Sequence, residues 1–318
     1  MSDPKHKVLT PDEILALDAA GMRKYNKDLM RQFKNPDAPK VHQHFRSFQD
    51  LVRFAQEDAP HLSEAEQSSR KAGDGGDFND FDSFPEAVKV ATSGWPEGTK
   101  RIKKVAATLT DKVLATIKVQ DFTTDDEGVF LDTERYLDND PDCLLKLEDT
   151  ELEQHGANNI RIFMNCCVSG KVNHKVLAMR GAAVVALVEG LTLAGKQVEL
   201  TVGANTANAL EVTFVAKPLD EPLQMDQLAF SVASADMFRR FCFASWERVD
   251  DAALLRKVGI RASGGYGRVA NCHHVHDFDV ILTTLSGYGN ADEFASVENA
   301  EAWVMDKLRM LGVQMEFD

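Results

Sequence analysis

The sequence predicts an α/β chain, a doubly wound and mostly parallel sheet with a helical N-terminal extension. Three observations predict it. Residues 160–203 read as strand, polar crossing loop, long helix and strand. A strand, helix and strand within about 30–45 residues closes as a right-handed crossover between parallel neighbours. From residue 160 onward the patterns run β-α-β-β-α-β-α-β, whereas residues 1–125 carry helical patterns.

In the central unit, residues 160–164 are short and apolar, as suits a buried parallel strand. Small polar groups follow, Asn165-Cys166-Cys167-Val168-Ser169-Gly170. From His174 the apolar residues Val176, Leu177, Ala183, Val184, Leu187, Val188 and Leu191 recur every three or four positions, the stripe of an amphipathic helix laid on a sheet. Gly195 stands where a left-handed cap ends such a helix, and residues 197–202 alternate as the next strand.

Earlier in the chain, Thr10-Pro11 opens a helix over 11–35 that Pro36 and Pro39 close. Residues 45–56 form an amphipathic helix, opened by Ser47 and using Phe48, Leu51, Val52 and Phe54. Residues 58–84 are polar and rich in Gly and Asp, the composition of a mobile loop. A third helix starts near Pro85. Gly94-Trp95-Pro96-Glu97-Gly98 is a sharp turn, with Trp95 as a packing anchor, and residues 99–117 are helical. After the central unit, residues 210–216 form a strand joined to 197–202 by a short polar connection, hence an antiparallel edge. Residues 225–248 form a heavily buried helix, 278–283 a strand, 297–311 a helix and 313–317 a last strand. The division this implies is a helical region over 1–125 and a sheet domain over 126–318 that begins with an acidic segment.

Composition narrows the function classes. Apolar residues make up 44% of the chain and charged residues 27%, as in ordinary soluble globular proteins. No uninterrupted apolar run approaches the ~20 residues of a membrane span, and the first residues lack the apolar core of a secretory signal. Five cysteines, two of them adjacent, point to reduced thiols in a cytoplasm. The net charge of −14 is concentrated. Residues 121–153 hold thirteen acids against Arg135 and Lys146, a window charge of −11. Such acidity works against nucleic-acid binding by the surface as a whole.

Two resemblances follow from particular residues. A strand ending in Asn165-Cys166-Cys167-Val168-Ser169, followed by a helix and an antiparallel third strand, resembles the von Willebrand factor A fold. That family binds a divalent metal here through a D-x-S-x-S motif, with a Thr and an Asp from later loops. This chain has Asn165 for the Asp and Cys167 for the first Ser, and keeps only Ser169. The later strand ends in Thr283-Thr284-Leu285-Ser286, without a carboxylate. The second resemblance is to uncharacterised bacteriophage-encoded proteins. It rests on Ser47-Phe48 with Leu51-Val52, the turn at 94–98, Arg135-Tyr136-Leu137 with Asp140-Pro141-Asp142-Cys143, and Arg180-Gly181-Ala182-Ala183 leading to Leu187-Val188. It implies a phage protein in the cytoplasm of a bacterial host, and no activity.

No catalytic motif stands above background. Asn165, Cys167, Ser169 and Thr283 mark the ligand edge, either a metal-free pocket or plain packing of small residues. Cys272, His274 and His276 share one face if extended and offer zinc-compatible donors, but lack the paired spacing of a structural site. In a parallel sheet that segment lies at the edge opposite Asn165. A nucleophilic Cys166 or Cys167 needs a base, for which His174 is nearest in sequence. The loop Ser263-Gly264-Gly265-Tyr266-Gly267-Arg268 lacks a P-loop Lys. Lys100, Arg101, Lys103 and Lys104 make a short basic face with few interleaved aromatics. The expectation is a protein-interaction module without cofactor or catalysis. Its partner is a host or phage protein, positively charged, contacted through Asp138, Asp140, Asp142 and Asp149. A metal-dependent enzyme using residues 272–277, or an accessory nucleic-acid-binding protein, is the alternative. No membrane is expected.

Overall fold

A computed structural model of the chain describes residues 41–71, 79–116, 122–125, 130–131, 135, 140–142, 144–147, 158–170, 172–206, 210–257, 260, 269–272, 275, 277–285 and 292–315. It is a mixed α/β protein. The strands are β1 (Val41–Phe45), β2 (Phe122–Asp125), β3 (Phe130–Leu131), β4 (Leu144–Leu147), β5 (Asn159–Asn165), β6 (Gln197–Thr206), β7 (Leu210–Lys217), β8 (Val269–Ala270) and β9 (Val280–Leu282). The helices are α1 (Phe48–Phe54), α2 (Phe84–Ser93), α3 (Pro96–Leu114), α4 (His174–Leu193), α5 (Met225–Ala233), α6 (Phe243–Glu247), α7 (Ala252–Lys257) and α8 (Val297–Met310). The helix expected over 11–35 and the glycine-rich loop at 263–268 lie outside the described residues, as does the end of the strand expected over 313–317.

The main sheet runs β1-β7-β6-β5-β9, with β8 added beside the end of β6. β5 is parallel to β6 and to β9, β7 is antiparallel to β6, and β1 is parallel to β7. The crossover through α4 thus joins parallel neighbours. β7 is not the edge, however, because β1 from the N-terminal region pairs along it from Val41↔Leu210 to Phe45↔Phe214. That strand escaped the sequence reading: five residues squeezed against the Ser47 helix cap give a weak period of two.

Alternation decides the two faces. Ile160, Ile162 and Met164 of β5, Val198, Leu200 and Val202 of β6, and Val212 and Phe214 of β7 join one buried cluster that also takes residues of α1–α8. A doubly wound sheet has helices on both faces. On the other face here, Phe163 of β5 meets Cys272, Val275 and Phe278, a small separate cluster from the chain between β8 and β9.

Helix α4 was expected to be amphipathic and is enclosed instead. Residues 180–188 are all buried, and so are Gly190 and Leu191. Such a helix needs small residues where neighbours press in. A Cβ on Gly181 would meet Ala233 Cβ at 3.0 Å, and one on Gly190 would meet Val113 Cγ1 at 2.9 Å. α4 is long and apolar enough to cross a membrane, but its position is that of a core helix.

Residues 94–98 work as a joint. Gly94 adopts φ of +94°, and Pro96 starts α3. The Trp95 indole is buried against Phe81 and Phe230 and lies where a Cβ on Gly98 would be. Residues 225–248, expected as one helix, are broken after α5. Ser234 is extended, a six-residue π turn follows over Met237–Cys242, and α6 completes the run. The break is stabilised by groups from the segment expected to be a mobile loop. Asp80 accepts from Ser234 Oγ and Ala235 N, and Asp236 accepts from the backbone of Asp80 and Phe81. Buried Arg240 pairs with Asp236 and donates to the carbonyls of Ser69, Lys71 and Phe81. Glu247 accepts from Ser69 N and Oγ. Residues 72–78 of that segment lie outside the described residues.

Candidate functional site

In an open α/β sheet, ligands bind outside the carboxyl ends of the strands where the strand order reverses. Here that point is between β5 and β9, the end carrying Asn165, Cys167, Ser169 and Thr283. The sequence-selected residues do meet there. An isolated parallel bridge joins Val168 to Leu285, Ser169 N donates to Leu285 O, and Leu285 N donates to Cys167 O.

The polar groups of Asn165 and Cys167 are turned inward, whereas Ser169 and Thr283 are half-buried. Asn165 is 1% exposed, and its Oδ1 accepts from Cys167 N while its Nδ2 donates to Ala270 O at 2.9 Å. Cys167 Sγ lies 3.6 Å from Asn205 O. Burial pushes the Cys167 thiol well above the ordinary thiol range, with Cys166 adding to the rise. Cys166 Sγ is 3.6 Å from Cys242 Sγ, and His174 turns to Asp80 at 3.6 Å. No histidine base therefore serves either thiol among the described residues.

The decisive residue is one that the sequence offers only within the resemblance carried by Arg180-Gly181-Ala182-Ala183, and not as a site. Arg180, in the second turn of α4, is 1% exposed. Nη1 donates to Asn165 O at 2.9 Å and Nη2 to Thr283 O at 2.6 Å, so one guanidinium ties the ends of β5 and β9 together. Burial pulls its pKa down to about 10, which leaves it charged at neutral pH. Beside it lies a hollow of about 210 Å³ lined by Thr283, Glu293, Phe294, Trp303 and Lys307. Burial raises the Glu293 carboxyl above its usual range, while Lys307 and Arg180 draw it back.

The Cys272 segment is not opposite Asn165. β8 runs antiparallel to β6, pairing Ala270 with Asn205, so the chain restarts at the carboxyl end of the sheet and crosses its face to reach β9. Cys272 accordingly sits 3.6 Å from Asn165 Nδ2, buried, with its thiol pKa raised chiefly by that burial. His274 and His276 lie outside the described residues, and no cluster of three metal-binding side chains occurs among the described ones.

On α3, Lys100, Arg101, Lys103 and Lys104 are exposed, but Arg101 is partly engaged, 3.6 Å from Asp80 and near the Trp95 ring. The described residues of the acidic window include a three-stranded antiparallel sheet, β2-β4-β3. Of its partner-binding candidates, Asp140 is tied into a turn. It accepts from Asp142 N and pairs with Arg135 at 3.1 Å. Asp142 is exposed, and Asp138 and Asp149 lie outside the described residues.

No curated protein and no solved structure matches the chain. Residues 23–312 match the family described as a domain of unknown function, DUF7192, and on that span the chain belongs to that family.

Proposed function

We propose that the protein is a non-catalytic, protein-binding module, encoded by a phage and acting in the cytoplasm of its bacterial host. Its core is a degenerate, metal-free relative of the A-domain fold. The strand order β7-β6-β5-β9, with β7 antiparallel and α4 following β5, supports that relation. The observation that carries the reading is Arg180. Where an A domain holds a divalent cation, this chain holds a guanidinium bonded to the carbonyls of Asn165 and Thr283. A fixed positive charge disfavours a second cation nearby, the strand-end residues Asn165 and Thr283 offer no carboxylate ligand, and Glu293 in the adjoining hollow already answers Arg180.

Partner contact then falls to the acidic sheet. Its strands supply order, and its charge attracts a basic protein through a salt-sensitive encounter. The test is a pull-down from infected cells, run with magnesium or with chelator, at low and high salt. The expected result is one basic partner recovered in both metal conditions and lost at high salt. It should also be lost when Asp138, Asp140, Asp142 and Asp149 are replaced together by Asn. A partner recovered only with magnesium, or one indifferent to salt and to the substitutions, overturns the proposal.

A further inference from the structure

The sheet face turned away from the helices carries a second arrangement, unrelated to the Arg180 edge or the acidic sheet. β1 is an edge strand. Its alternation sends Gln43 towards α6, where Nε2 donates to Ser245 O, and turns His42 and His44 to the opposite face, both exposed. The two rings converge. His42 Nε2 lies 2.9 Å and His44 Nδ1 3.0 Å from the same atom, Thr213 Oγ1, and the ring centroids are 6.3 Å apart. Two imidazoles sharing one ion at about 2.1 Å from each nitrogen hold their centroids no more than roughly 6.5 Å apart. The observed separation lies near that limit, which a nearly trans pair reaches, and a tetrahedral or cis pair needs the two rings to turn towards each other.

What surrounds the rings decides the sign of the ligand. They border a hollow of about 330 Å³ that is also lined by Thr201, Arg161, Glu199 and Asp277. Arg161 is paired with Glu199 at 3.1 Å, so its charge is already answered, and Asp277 adds a further carboxylate. The hollow favours a cation over an anion.

We propose that His42 and His44 chelate a divalent transition metal on this face as a two-histidine site, with water completing its shell. Imidazole donors select copper, nickel and zinc over magnesium and calcium, with copper the tightest. The site lies on another face than the metal-free Arg180 edge, and it does not depend on the partner-binding reading.

The test uses the untagged full-length protein, stripped of metal and titrated with copper, nickel, zinc and magnesium by calorimetry. The expected result is one equivalent of copper at pH 7.5, weaker nickel and zinc, and no magnesium heat. His42→Ala and His44→Ala should each abolish copper binding. Both side chains are exposed, so thermal melts of the two variants should match the wild type. Absence of copper heat from the wild type overturns the proposal. So does binding that survives in both variants but disappears when Cys272, His274 and His276 are replaced, because the metal then belongs to that segment.

Discussion

Arg180 shows how a single side chain settles the character of a sheet edge. Removing it leaves the carbonyls of Asn165 and Thr283 without their donor, and each buried, unpaired group costs about 1–3 kcal/mol. Part of that loss is returned, because the desolvation of a buried charge disappears as well. Arg180→Met should therefore lower stability by about 2 kcal/mol in urea denaturation. A variant as stable as the wild type would mean that the guanidinium is not the tie between β5 and β9. The residue was legible in one respect only. Between Lys175 and Glu189 it is the sole charged side chain, and a lone cation inside an apolar helix is a sign of a buried partner. Which partner depends on strands more than a hundred positions away, and no local spacing records that. The cysteines make a different point, since the sequence favours buried, unreactive thiols over a nucleophile and the structure buries Cys166 and Cys167. Iodoacetamide at pH 8 should leave Cys166, Cys167, Cys242 and Cys272 unmodified while it alkylates them in urea. Rapid labelling of Cys166 or Cys167 in the native protein would reinstate the nucleophile.

At the scale of elements, the crossover 160–203 was readable because its strands and helix are each long enough to show their period. What its pattern could not show was how many neighbours α4 would acquire. α3, α5 and α8 all pack on it, so the residues between the apolar stripes are buried too. Leu187→Ala should cost about 2–5 kcal/mol, because the site is fully enclosed and cannot collapse easily. Gly190→Val should cost about 1–3 kcal/mol by overpacking against Val113 and Leu308. Denaturant midpoints of the two variants check both figures, and a neutral Gly190→Val would show that α3 and α8 stand further from α4 than described. The run 225–248 was read as one helix for a related reason. Its composition is helical throughout, and the interruption at Ser234 is imposed by Asp80, a residue about 150 positions earlier.

At the scale of the whole molecule, the sequence divides the chain at 125/126, and the packing gives grounds to test that division. β1 supplies the outer strand beside β7, so a fragment lacking it exposes the hydrogen-bonding edge of β7 and invites strand pairing between copies. Phe48, Phe84, Trp95, Ile102 and Leu109 from the N-terminal helices occupy the same buried cluster as Leu187, Phe230 and Leu308. Removing them strips apolar cover from α4 and α5 at once. Arg240 and Glu247 would also lose the carbonyls and donors of residues 69–81 and be left as buried charges with fewer partners, a severe penalty. A fragment spanning 126–318 should therefore fail to melt cooperatively and should bind a hydrophobic dye, whereas a fragment spanning 41–318 should melt as one unit. Cooperative unfolding of 126–318 on its own would restore the boundary at 125/126 and make the N-terminal helices an appended layer. Failure of 41–318 to fold would instead assign an essential structural role to residues 1–40.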